Sequence, residues 1–123
     1  MAVVGIGVDV VDVARFERAL ERTPALKERL FGDQDLSREL PAHSLAARFA
    51  AKEATLKALG GNIPGFHWHD IQVSSQANQA PQLVLSGGVA AVVHEKGVTG
   101  HHLSLSHDAG VAIAFVVMDR EGL

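Results

Sequence analysis

Asp9, Glu53 and Lys57 are the side chains of this sequence best suited to handling phosphate. Glu53 and Lys57 stand one turn apart in the segment Ser44-Leu-Ala-Ala-Arg-Phe-Ala-Ala-Lys-Glu-Ala-Thr-Leu-Lys-Ala-Leu59, which reads as a helix of alanine, leucine and charge. At helical spacing Leu45, Phe49 and Leu56 share one face. Glu53 and Lys57 flank that face in line with Ala46 and Ala50, a strip small enough for another segment or a ligand to approach the backbone closely. A carboxylate and an ammonium beside such a strip are costly unless paired or bound to something. Two carboxylates, Asp9 and Glu53, can hold Mg²⁺ and leave positions for water and substrate phosphates. Lys57 can neutralise phosphate charge or assist a leaving group. From spacing alone, an ordinary helical Glu–Lys pair worth about 0.2–0.5 kcal/mol, with Asp9 as a strand-end cap, explains the three equally well.

Two further groups carry chemical potential. Arg15, Arg18 and Arg22 follow i, i+3, i+7 spacing and share one face of an amphipathic stretch whose opposite stripe is Val13, Phe16 and Leu20. Three arginines on one face of an acidic chain fit an acidic partner, or simply a solvated face. Near the C-terminus, Ser104-Leu-Ser-His-Asp108 puts Ser106 and His107 at a strand end, where hydroxyl and imidazole can bind phosphate oxygens. Asp108 is open to three readings: a turn residue, a metal ligand or a base. A serine triad lacks the glycine-flanked nucleophile turn. The seven histidines include the close pairs His67–His69 and His101–His102, but without cysteine or a His-Glu-x-x-His helix a zinc site is not expected. Gly5-Ile-Gly7 lacks the helix entry of a dinucleotide fingerprint.

The bulk properties limit the setting. A chain of 123 residues with 47% hydrophobic and 20% charged content fits one globular domain over 1–123. A net charge of −3 argues against broad nucleic-acid binding. The absence of cysteine is compatible with a reducing cytoplasm. The N-terminal apolar stretch has no basic leader and meets Asp9 early, so no signal peptide is expected. The longest apolar run, Val111 to Met118, is too short to span a bilayer.

The patterning predicts the elements that carry these residues. Val3 to Val10 alternates as a strand, with Val4, Ile6, Val8 and Val10 as its core face and Val3, Gly5, Gly7 and Asp9 on the other. The glycines mark close approach of a backbone or ligand. Asp12 caps a helix over 13–22, and Thr23-Pro24 opens another that ends near Phe31-Gly32. A short helix is expected over 33–40, then the long one to Leu59, stopped by Gly60-Gly61. Phe66 to Asp70 reads as irregular. Strands at 71–75 and 82–85 flank a polar turn around Asn78. A helix over 88–96 follows Ser86. Strands at 102–106 and 111–117 form a final hairpin, the last apolar throughout and therefore expected to be buried on both faces. The order implies an α+β fold.

Gly5-Ile-Gly-Val-Asp9, Arg48-Phe-Ala-Ala-Lys-Glu-Ala-Thr-Leu-Lys57 and Ser104-Leu-Ser-His107, in that order along the chain, together resemble the small holo-(acyl-carrier-protein) synthases. These are the short, single-domain 4′-phosphopantetheinyl transferases. The Ala-Ala-Arg-Phe-Ala-Ala-Lys-Glu-Ala wording and the Ser-His-Asp-Ala-Gly ending look most like actinobacterial members. The resemblance implies a single domain with a small, mainly antiparallel sheet packed on a long central helix. It implies transfer of the phosphopantetheine arm of coenzyme A to a serine of apo-acyl carrier protein, releasing adenosine 3′,5′-bisphosphate in the cytoplasm. By match, Asp9 and Glu53 would hold Mg²⁺ against the coenzyme A diphosphate, and Lys57 would stabilise the leaving group. Arg48, Ser106 and His107 would lie near the nucleotide phosphates. Arg15, Arg18 and Arg22 would grip the acidic carrier. A homotrimer with active sites at subunit interfaces is implied as well. Water oriented by Glu53 or Asp9 would take the serine proton, with Asp108 as an outside candidate.

Two other classes fit parts of the pattern. A Mg²⁺ nuclease would use the same acids, but such sites generally set glutamate and lysine two apart on a strand rather than four apart on a helix. A non-enzymatic module would use the arginine stripe alone.

Overall fold

The computed structural model describes residues 1–76 and 79–122. Asp12 ends β1 (Ala2–Asp12) and accepts a hydrogen bond from Arg15 N at 2.9 Å, which caps α1 (Val13–Arg22). Then come α2 (Ala25–Leu30), α3 (Ala42–Ala58), a 3₁₀ turn (Trp68–Asp70), β2 (Ile71–Ser74), β3 (Gln82–Leu85), α4 (Gly87–Glu95), β4 (Gly100–Asp108) and β5 (Val111–Arg120). The turn expected around Asn78 lies outside the described residues. Gly60, at φ +87°, ends α3, with Gly61 N donating to Leu56 O at 2.8 Å.

β1, β5 and β4 form an antiparallel sheet in that order, and β2 pairs with β3 in a second, two-stranded one. One face of the larger sheet lies on α3. Val11, Ala112, Ala114, Val116 and Met118 are buried there, against a helix lined by Ala47, Ala51, Ala54 and Ala58. The expected α+β class and sheet-on-helix arrangement are therefore what the chain adopts.

The faces of β1 are the reverse of the expectation. Ile6, Val8 and Val10 are 56%, 46% and 57% exposed, and the glycine face meets α3. A Cβ at Gly7 would stand 1.8 Å from Ala54 O, and one at Gly5 1.9 Å from Ala58 O. The helix backbone occupies the space that side chains would fill, so the bulky face has to turn outward. The small strip that admits β1 is thus Ala54–Ala58 rather than the Ala46–Ala50 line. For the same reason β5 is covered on one face only, and Phe115, aligned with Val8, is 44% exposed.

The helix expected over 33–40 is absent. A single turn forms, with Leu36 N donating to Gly32 O at 3.0 Å. Asp35 turns inward instead and accepts from Gly32 N at 3.0 Å and Val73 N at 2.7 Å. Lys52 of α3 meets it at 2.8 Å, both side chains fully buried. Burial draws the Lys52 pKa down and Asp35 opposes that shift. Removing one partner would strand the other's charge, at a cost of about 3–5 kcal/mol.

Candidate active site

The close packing of β1 on α3 brings Asp9 of the strand to the Glu53–Lys57 stretch of the helix. Two residues beyond Gly7, Asp9 emerges from the strand on the helix-facing side. Lys57 reaches across from α3 to donate to Asp9 Oδ1 at 3.0 Å and to Val8 O at 3.1 Å. Asp9 and Glu53, one turn earlier on the helix, line the same cavity of about 590 Å³. The remaining wall includes Arg15 and Phe16 from α1, Arg29 and Leu30 from α2, Phe49 from α3, and Trp68. The lining thus combines the carboxylates of Asp9, Asp12 and Glu53, the guanidinium groups of Arg15 and Arg29, and an aromatic and aliphatic surface.

Glu53 is half-buried, and its pKa is raised by burial first and by the Asp9 charge second, with Lys57 pulling the other way. Two carboxylates lining one cavity are a fitting donor pair for a hard divalent cation. Among the described residues no group of three or more His, Asp or Glu is placed to hold a metal. A cation here would take its other ligands from water and from a bound anion, as Mg²⁺ commonly does with phosphates.

The other residues singled out in the sequence do not all join this cavity. Arg15 lines it, while Arg18 and Arg22 stand exposed on α1. Arg48 is buried within the protein and donates from Nη2 to Ser75 Oγ at 2.6 Å, leaving Nε without a partner. Burial lowers its pKa, against the opposing pull of Asp35. Ser106 and His107 fall on opposite faces of β4. His107 pairs with the buried Ala112 on the helix-facing side, and its ring lies against His43 of α3 with centroids 4.2 Å apart. Ser106 pairs with Ile113 on the open face. Asp108 is a turn residue whose Oδ1 accepts from Ala109 N at 2.9 Å. Ala109 and Gly110, both at positive φ, make the tight hairpin loop. Within one chain, then, the acidic cavity and the His43–His107 cluster are separate.

Several contributors gave little or no sign of themselves in the sequence. Arg29 and Trp68 had no periodic or motif signal. Lys52 had one, because it falls on the Leu45–Phe49–Leu56 stripe where a lysine needs a buried partner.

Residues 5–116 match the family described as the 4′-phosphopantetheinyl transferase superfamily. The chain is 55% identical over 119 residues to the holo-[acyl-carrier-protein] synthase of Leifsonia xyli, covering 97% of this chain and 98% of that one. The structure of the Neisseria meningitidis holo-[acyl-carrier-protein] synthase superposes with a TM-score of 0.85 at 30% identity, covering 96% of this chain and 99% of that one. That of the Helicobacter pylori enzyme in complex with coenzyme A superposes at 0.81 with 33% identity, covering 93% and 99%.

Proposed function

Because this chain belongs to the 4′-phosphopantetheinyl transferase superfamily, as a member of its holo-(acyl-carrier-protein) synthase family, we propose that the Asp9–Glu53 cavity is where its transfer reaction takes place. The protein is an enzyme that moves phosphopantetheine from coenzyme A to apo-acyl carrier protein. The observation that carries the site assignment is that Asp9 and Glu53, from β1 and α3, line one cavity together with Arg15 and Arg29, while Lys57 bonds Asp9.

In this reading Asp9 and Glu53 hold Mg²⁺. When bound there, the ion would supply charge neutralisation to the diphosphate. Lys57 is 54% exposed and is free to exchange Asp9 for a phosphate oxygen of the leaving group. Arg15, with Arg18 and Arg22 beside it on α1, draws in the acidic carrier and orients its serine toward the carboxylates. The serine Oγ forms a bond to the phosphorus carrying the pantetheine arm. The bond from that phosphorus to the bridging oxygen breaks, and adenosine 3′,5′-bisphosphate leaves. The serine proton passes to water hydrogen-bonded to Glu53 or Asp9. Asp108, tied into its own turn, is set apart from this path.

The separation of His107 from the acidic cavity favours a site shared between subunits, with His107 supplied to the nucleotide phosphates of a neighbour, whereas Arg48 is held inside the protein by Ser75 and Ser106 points to the other face of β4. The open sheet face bearing Ile6, Val8, Val10 and Phe115 is a fitting surface for association into a homotrimer. The whole of 1–123 then acts as one cytoplasmic transferase domain.

Mass spectrometry of apo-acyl carrier protein incubated with coenzyme A tests the reading. The phosphopantetheine mass should appear with Mg²⁺ and vanish with chelator or with Glu53→Gln. Full turnover by Glu53→Gln would overturn the assignment of the site.

A further inference from the structure

We infer that the buried Lys52–Asp35 pair is a positioning device for the carrier-side wall of the cavity, an inference that rests on that cavity being the active site. The pair touches no cavity space, yet it is bonded to the segments that build the wall. Lys52 immediately precedes Glu53 on α3, so its backbone is fixed with respect to that carboxylate. From there its ammonium donates to Asp35 Oδ2 at 2.8 Å, to Trp68 O at 3.2 Å and to Ile71 O. Asp35 accepts in turn from Gly32 N, two residues beyond Leu30, and from Val73 N in β2. Leu30 and Trp68 are cavity-wall residues, and Arg29 is part of the same rim. One buried ammonium and one buried carboxylate therefore tie together the end of α2, the Trp68 turn, β2 and the catalytic stretch of α3.

A purely structural role does not account well for the choice of residues. Well-packed apolar side chains of similar volume usually hold such a junction at equal or better stability than a buried ion pair. What they lack is direction: five hydrogen bonds, each with a defined geometry, fix where the wall stands. A displacement of about 1 Å at a distance from the chemistry can lower a rate about a hundredfold. Arg29 belongs to this wall and, like Arg15 of the helix assigned to carrier docking, lines the cavity, which fits positioning of the acidic carrier protein.

The test uses the full-length protein with Asp35→Leu combined with Lys52→Met, which removes both charges and leaves neither stranded. The expected result is a native fold with a lowered melting midpoint, since Gly32 N and Val73 N lose their acceptor, and a KM for apo-acyl carrier protein raised about tenfold or more. Coenzyme A binding without carrier should stay within about twofold. Trp68 is the only tryptophan, so its emission should shift to the red and its quenching by acrylamide should rise. Asp35→Asn, which keeps shape and an acceptor but leaves Lys52 without its counter-charge, should move KM and emission in the same direction. An unchanged KM with unchanged Trp68 emission would overturn the inference, as would failure of both variants to fold, which would make the pair a folding determinant only. Glu53→Gln run alongside separates the two readings. If it retains turnover, the active-site assignment falls and this inference with it. If it is inactive while the double variant keeps its KM and emission, this inference alone falls.

Discussion

Lys57 Nζ and Asp9 Oδ1 lie 3.0 Å apart although 48 residues separate them in the chain. The ammonium is 54% exposed and the carboxylate 17%, so water screens the pair and its share of stability is small. Lys57→Met should therefore cost less than about 1 kcal/mol in a denaturant titration. It should lower kcat/KM for carrier modification about a hundredfold, the usual loss when a group stabilising developing charge is removed. A comparable loss of stability and activity would identify the pair as structural.

Glu53 gives a prediction of opposite sign for stability. Its folded-state pKa is raised, by burial and by Asp9. The folded state thus binds this proton more tightly than the unfolded chain does. That favours folding below the ordinary glutamate range and is lost as pH rises through the folded value. At neutral pH without metal, Glu53→Gln should match or exceed the wild-type melting temperature. Mg²⁺ with coenzyme A should raise the wild-type midpoint and leave the Glu53→Gln midpoint nearly still. Calorimetry across pH and Mg²⁺ concentration reads both effects.

Gly7→Ala is expected to be severe although it adds a single methyl group. The new Cβ would meet Ala54 O at 1.8 Å, and both backbones are held by their own hydrogen bonds. Displacing β1 from α3 should cost about 3 kcal/mol or more, lowering the melting midpoint by roughly 10 °C or more. Asp9 moves with the strand, so residual folded enzyme should turn over slowly. A variant of wild-type stability would show that the strand has room to shift.

These residues also mark the reach of sequence patterning. Asp12 and the Phe16 stripe announce α1, and Gly60-Gly61 marks the end of α3, because capping and periodicity act locally. Alternation in β1 separates two faces but does not say which one a helix covers. Here the choice turns on Ala54 and Ala58, which fit a backbone carbonyl against glycine. Asp35 was unreadable because its partners, Lys52 and Val73, come from distant segments and its own loop has no period. Ser106 and His107 read as one phosphate-binding pair, yet neighbours in a strand point to opposite faces. The acids and Lys57 were legible because a helical register and a strand end constrain them.

The separation of His107 from Glu53 within one chain leads to a subunit-mixing experiment. If each active site joins the acidic cavity of one subunit to His107 of another, Glu53→Gln and His107→Ala should each be defective alone for different reasons. Dissociated, mixed in equal amounts and reassembled, they should recover about a quarter of wild-type activity. Each site draws one half at random from either parent, and only one of the four combinations is intact. If every site were complete within its own chain, mixing would restore nothing. Phe115→Glu serves as the assembly control. It places a charge on the open apolar face, opposite Val8 and Ser104 in register. Light scattering should then report a smaller species, and that variant should neither turn over nor complement either parent. Recovery near a quarter with the first pair, and none when Phe115→Glu is included in both, would tie activity to association through this face. No recovery from a mixture shown by mass to contain hybrid assemblies would confine the site to one chain.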